Sequence, residues 1–103
     1  MVKIKITATA KKDIRQIFDY ISKHSLQNAI LLNQALYTRI NVLYKSPECG
    51  QIVKEINDPL IRGLKLYKFR IIYKVENEEV FIITIHHSSR QLHNNPHLKG
   101  LFE

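Results

Sequence analysis

Between Leu60 and Val75 the chain carries Arg62, Lys65, Lys68, Arg70 and Lys74 and no acidic residue. Arg90 follows further on, and histidines crowd the same end of the chain as His86, His87, His93 and His97. Guanidinium groups grip phosphate through a planar fork and stabilise charge developing on phosphorus. Imidazole can carry a proton near neutral pH. These are the parts that metal-free RNA cleavage requires: a base for the 2′-hydroxyl, cations for the crowded phosphorus and an acid for the leaving oxygen. The same residues would also make a surface that only holds a polyanion, or a solvated basic strand edge. The nearest aromatics for base stacking are Tyr67 and Tyr73, and Tyr73 shares the parity of apolar neighbours, which marks it as core.

Other chemistries find little support. The three glycines, Gly50, Gly63 and Gly100, are far apart, so no glycine-rich phosphate loop exists. Ser88-Ser89 sits in no nucleophile motif. Cys49 is the single cysteine, which excludes an intramolecular disulfide and a cysteine-built zinc site. His86 and His87 are adjacent in a strand pattern and point to opposite faces, so both cannot reach one ion without distortion. No metal and no cofactor is expected.

The elements that must position these residues can be read in order. The 103 residues make one domain, expected over 1–103, and the 45% apolar share suffices for a single core. The formal net charge of +7 points to a polyanion or an acidic protein as partner. Met1-Val2-Lys3-Ile4-Lys5 alternates at once and lacks the apolar core of a signal peptide, and no apolar run approaches a membrane span, so a cytoplasmic protein is expected.

Val2 to Thr7 reads as a strand. Thr9 is a candidate cap for a helix over Ala10 to Lys23, with Asp13 in its first turn and Ile14, Ile17, Phe18 and Ile21 as its apolar stripe. Ser25 suits the cap of a second helix reaching Tyr44 or Lys45. Ala29, Leu32, Leu36, Ile40 and Leu43 form its inner stripe, and Ile30, Tyr37 and Tyr44 are expected to widen it. Leu31 falls on the opposite side and is expected to be exposed or at a partner interface. The short link predicts an antiparallel helical hairpin. Ser46-Pro47-Glu48-Cys49-Gly50 is a turn.

Strands follow over Leu60 to Lys68, Phe69 to Val75 and Val80 to His87, the last apolar on both faces and therefore central. Glu76-Asn77-Glu78 joins the final pair. The order β-α-α-β-β-β is that of an α+β fold, with a three-stranded antiparallel sheet after the helices.

Four stretches carry a family resemblance. Asp13-Ile14-Arg15-Gln16-Ile17-Phe18-Asp19-Tyr20-Ile21 resembles the "DLxxIxxYI" first helix of RelE/ParE toxins. Pro47, Gly50, Val53 and Glu55 resemble the segment leading to their sheet. Arg62 with Phe69-Arg70-Ile71-Ile72-Tyr73-Lys74-Val75 resembles "R…YRIIYxV". Val80 to Arg90 resembles the closing "VxIxxVxHxxR". The match spans roughly residues 3 to 92, in order.

The resemblance implies the toxin of a type II toxin–antitoxin system, neutralised by a cognate acidic antitoxin. Two activities occur in the superfamily. RelE-like members cleave mRNA in the ribosomal A site without metal; ParE-like members poison DNA gyrase. Arg70 matches the strand arginine that RelE-like enzymes use at the scissile phosphate, and Arg90 matches the arginine after the last strand. Arg62 and Lys65 lie near the family's basic strand positions. The C-terminal tyrosine of RelE-like catalysis has no match, and the tail offers His93 and His97 instead.

The long "DYI" helix and the histidine wording look closer to ParE-like and unassigned members, so growth arrest through gyrase is slightly favoured as the expectation. The alternatives are a ribosome-dependent mRNA endoribonuclease, with Arg70, Arg90 and His87 catalytic, or an inactive remnant that only binds its antitoxin. Arg62, Lys65, Lys68, Arg70, Lys74 and Arg90 are the expected contacts to nucleic acid or target. Leu31, Arg62 and Lys65 are the expected contacts to antitoxin. Against these roles stands a purely structural one, in which Arg70 and Arg90 pair with Glu55, Glu76 or a backbone carbonyl.

Overall fold

Thr7 ends the first strand and starts the first helix. In the computed structural model, which describes residues 2–88, β1 (Lys3–Ile6) leads directly into α1 (Ala8–Ser22). Thr7 has extended backbone angles, and its hydroxyl accepts from the Ala10 N–H at 3.1 Å. The cap expected at Thr9 is therefore two residues earlier. Long-range contact decides between the two threonines: the Thr7 hydroxyl also donates to the Ile82 carbonyl at 2.7 Å, with the Ile83 carbonyl at 3.2 Å. Ser25 caps α2 (Leu26–Asn41) as expected, accepting from the Asn28 N–H at 3.1 Å. The final turn tightens into a 3-10 helix, Val42–Tyr44.

The strands after the hairpin are β2 (Gln51–Ile52), β3 (Ile61–Leu66), β4 (Phe69–Glu76) and β5 (Glu79–His87). The sheet order is β1-β5-β4-β3-β2. The expected antiparallel trio is β3-β4-β5. It gains β1, which runs parallel to β5 with Lys3 opposite Glu79 and Ile6 opposite Ile82, and the short β2 at the other edge. The sheet is thus mixed and five-stranded, with β5 in its interior as its two apolar faces require. Asn77 and Glu78 both have positive φ, 52° and 64°, the backbone of the two-residue turn whose twist suits a hairpin.

One sheet face meets the helices. Ala10, Ile14, Leu36, Ile40 and Leu43 pack there against Leu64, Ile71, Tyr73, Val80, Ile82 and Ile85. Ile30, Tyr37 and Tyr44, expected to widen this contact, are instead exposed at 43%, 40% and 37%. A helix laid over a sheet buries one stripe about 100° wide, and the Ala29-to-Leu43 stripe already fills it. On the opposite face, Val53 and Ile56 fold back onto Ile61 and Ile72, with Ile83 beside them.

Asp13 is not in the first turn of α1, so it does not act at the helix terminus as expected. The β4–β5 register shifts between Ile72, opposite Thr84, and Tyr73, opposite Ile82, leaving Ile83 as an extra residue. Such a bulge leaves backbone groups out of the ladder. Next to the bulge, beyond the end of β1 at Ile6, helix α1 and its cap serve the edge of β5. Thr7 takes the Ile82 carbonyl, and the Asp13 carboxylate accepts from the Ile85 N–H at 3.1 Å and from the Thr84 hydroxyl. No helix among the described residues is long and apolar enough to cross a membrane.

Candidate functional site

The strand register assembles the site. Lys65 on β3 lies directly opposite Arg70 on β4, and Arg70 lies opposite His86 on β5. Leu64 and Ile71 pack toward the helices. Side chains alternate along a strand, so Lys65 and Arg70 project from the other face. Segment 53–60 covers the middle of that face through Val53 and Ile56 and brings Glu55 back over Arg70. Arg70 Nη1 lies 3.2 Å from Glu55 Oε2. An open cleft of about 470 Å³ remains, lined by Lys54, Glu55, Lys65, Tyr67, Arg70 and Ser88 among others.

Burial by itself raises the Glu55 pKa. Its own backbone N–H, the hydrogen bond from Arg70 and the charges of Arg70 and His86 outweigh that and hold the carboxyl below its ordinary value. The Glu55 side chain is 51% exposed, so solvent screening keeps the pair's contribution to stability small. Three cations, Lys54, Lys65 and Arg70, line the cleft with this one carboxylate, and Arg70 is the one paired with it. Such a site can bind an anion through Arg70 and Lys65, with Glu55 as an internal competitor.

The other expected residues are distributed elsewhere. Arg62 stands opposite Tyr73, with the parity of Leu64 rather than Lys65. Its Nη1 donates to the carbonyls of Glu48, at 3.1 Å, and Gly50, at 2.9 Å, and so pins the turn after α2. The same turn is held by the Gly50 N–H donating to the Tyr73 hydroxyl at 3.0 Å. Burial pushes the Tyr73 pKa up, and the Gly50 bond only partly opposes it. Lys74 lies further along the sheet and reaches Asp58 and Glu76, each at 3.6 Å.

Lys68 is exposed in the β3–β4 turn beside the cleft, and its carbonyl accepts from the Ser88 N–H at 2.6 Å. His87 stands edge-on to Phe69, 5.3 Å between ring centroids, with the parity of the helix side. The histidine register-paired with Arg70 is His86, which is 3% exposed. Leu31 is 54% exposed on α2. Arg90, His93 and His97 lie outside the described residues.

Among the described residues no cluster of three or more His, Cys, Asp or Glu side chains could hold a metal ion. The sequence offers Glu55 as part of the family-like segment before the sheet and as a structural partner for Arg70, not as a site residue, and it does not single out Lys54. The signal for both lies in the return of segment 53–60 across the sheet, which local patterning does not encode.

A family model described as the ParE toxin of the type II toxin–antitoxin system parDE matches residues 4–92. Among solved structures, the chain is similar to one from the chromosomal ParDE toxin–antitoxin system of P. aeruginosa. Identity there is 23%, the match covers 84% of this chain and 96% of that one, and the TM-score is 0.70. It is also similar to a chain of the RelBE2 toxin–antitoxin complex from Mycobacterium tuberculosis, with 17% identity, the same coverages of 84% and 96%, and a TM-score of 0.54. At these identities the likeness is one of fold. No curated protein sequence matches.

Proposed function

The chain belongs to the ParE toxin family of type II toxin–antitoxin systems, and from that premise we propose that it arrests growth by binding DNA gyrase and is neutralised by a cognate acidic antitoxin. The family match over residues 4–92 carries this reading. Antitoxins are named with both similar structures. Leu26, Ile30, Leu31 and Tyr37 are exposed on α2 and offer apolar area to an amphipathic antitoxin segment. Lys65 and Arg70 offer charge to its acidic residues, and charge of this kind acts mainly on the encounter rate.

Expression of the chain alone should stop colony formation, and co-expression of the antitoxin encoded beside it should restore growth. Purified protein should yield gyrase-dependent DNA breaks and leave ribosome-bound mRNA intact. Cleaved A-site codons would overturn the gyrase reading in favour of a ribosome-dependent endoribonuclease. Normal growth with folded protein present would overturn both.

A further inference from the structure

Helix α2 carries one charged residue in 16, Arg39. That guanidinium reaches the sheet, where its Nε donates to the Lys65 carbonyl at 3.4 Å. Every fully exposed residue of α2 is uncharged. The whole chain has a formal net charge of +7, and a charge of that size ordinarily holds copies of a small protein apart. The outer face of α2 lacks this protection. Its residues are also ordered. Leu26, Ile30, Asn33, Tyr37, Ile40 and Tyr44 alternate between steps of four and three, the period of a seam between two helices. Ile40 is drawn into the core, and Asn41 stands exposed beside it. Leu26, Ile30, Tyr37 and Tyr44 remain exposed along the line. Tyrosine suits a surface that is wet at one time and covered at another, because its ring offers apolar area while its hydroxyl keeps a polar partner. The seam is symmetric about Tyr37, with Ile30 seven residues before it and Tyr44 seven after.

We infer that two copies of the free chain pair through α2, antiparallel about a two-fold axis at Tyr37. Tyr37 then meets the partner's Tyr37, and Ile30 meets the partner's Tyr44. Asn33 comes opposite the partner's Asn41. An amide is donor and acceptor at once, so two of them pair, and a slipped register would leave them against hydrocarbon. A two-fold interface must be complementary to itself. A face of apolar and amide groups meets that condition, whereas a basic face would repel its own copy. A charge-free face also gives an acidic partner no electrostatic reason to prefer it. The seam is about 27 Å long and about 10 Å wide on each copy. That is small beside the roughly 1,200–2,000 Å² that stable interfaces bury, so the dimer is weak and reversible. By the reading above, an antitoxin would cover the same face. The dimer is therefore a property of the chain without antitoxin, and its test uses neither antitoxin nor gyrase, so either reading can fail alone.

The test is sedimentation velocity of the full chain over a range of concentration and salt. A dimer with a Kd of about 10–100 µM should appear. Raising salt should tighten it, because salt screens the repulsion between two basic copies and the seam has no charge of its own to lose. Tyr37→Glu sets two carboxylates face to face on the axis and should weaken the dimer at least about tenfold. Ile30→Glu should do the same and serves if Tyr37→Glu does not fold. Leu31→Glu, about 100° round the helix from Ile30, should leave the Kd nearly unchanged. In a Cys49→Ser background, Tyr37→Cys should crosslink to its own copy through a short bismaleimide, and Leu31→Cys should not. A chain that stays monomeric at about 1 mM, a dimer that salt dissolves, or a dimer that Tyr37→Glu and Ile30→Glu both leave intact overturns the proposal.

Discussion

Replacing Asp13 with alanine should be among the most damaging single changes to the fold, although a carboxylate on a helix would ordinarily be read as surface. The Asp13 carboxylate accepts from the Ile85 N–H at 3.1 Å and from the Thr84 hydroxyl, and Thr84 is fully buried. Thr84 and Ile85 stay in register with Ile72 and Ile71 of β4, but β1, the neighbour on the other side of β5, ends at Ile6, so Asp13 takes the place of a strand partner there. A hydrogen bond to a charged group contributes about 1.5–3 kcal/mol, and a buried donor left unsatisfied costs about 1–3 kcal/mol.

Taking the two bonds as partly redundant, Asp13→Ala should cost about 3 kcal/mol. For a domain of this size that lowers Tm by roughly 12–24 °C. Urea unfolding with an unchanged m-value would measure the loss, and hydrogen exchange at the Ile85 amide would localise it. Thr84→Val, which keeps the shape and removes one partner, should cost less, and the double variant should lose less than the sum of the two. A loss under about 0.5 kcal/mol for Asp13→Ala, with the Ile85 amide still protected, would show that the helix does not satisfy this edge of β5.

Three further outcomes follow from the geometry. Gly50→Ala should destabilise by about 1–3 kcal/mol, because its Cβ would stand 2.6 Å from the Tyr73 hydroxyl and 2.9 Å from the Gly63 carbonyl; Gly63→Ala, whose Cβ meets nothing closer than 3.5 Å, should be mild, and thermal melts of the two compare them. Arg62→Ala should lower stability by about 1–2 kcal/mol by releasing the carbonyls of Glu48 and Gly50, whereas Lys65→Ala should leave the melt unchanged and slow antitoxin association; stopped-flow mixing at low salt separates the two effects. Glu55 has a folded pKa below its ordinary value of 4.5, so its small contribution is present above that value and is lost as pH falls through the folded pKa. Glu55→Gln should therefore flatten the acid limb of the stability profile below about pH 4.5 and leave neutral pH nearly unchanged, as denaturant titrations at several pH values would show.

Local chemistry was enough to read much of this chain. Ser25 could be read as a cap because its hydroxyl serves an N–H three residues on, within one turn of chain. The buried stripe from Ala29 to Leu43 shows in the helical period, and the alternation of Phe69, Arg70, Ile71 and Ile72 shows which side chains share a sheet face. The ordered motifs from Asp13 to Arg90 identify the family, because they record spacing along the chain.

Tertiary structure decided whatever depends on a neighbour remote in sequence. Thr7 prevails over Thr9 as cap because a β5 carbonyl lies over it, 75 residues away. Ile30 and Tyr37 have the right types for a core and still face solvent, since among the described residues α2 meets one helix and one sheet and no third layer. Arg62 and Lys65 differ by three positions and thus by face, and only the fold shows that one face holds carbonyls of a turn and the other a cleft. His86 rather than His87 faces Arg70 because the bulge near Ile83 resets the strand's parity before the histidines are reached. Periodicity reports which residues share a side; it carries no information about what the chain later lays against that side, because that contact is made by a segment whose return path the local residues do not determine.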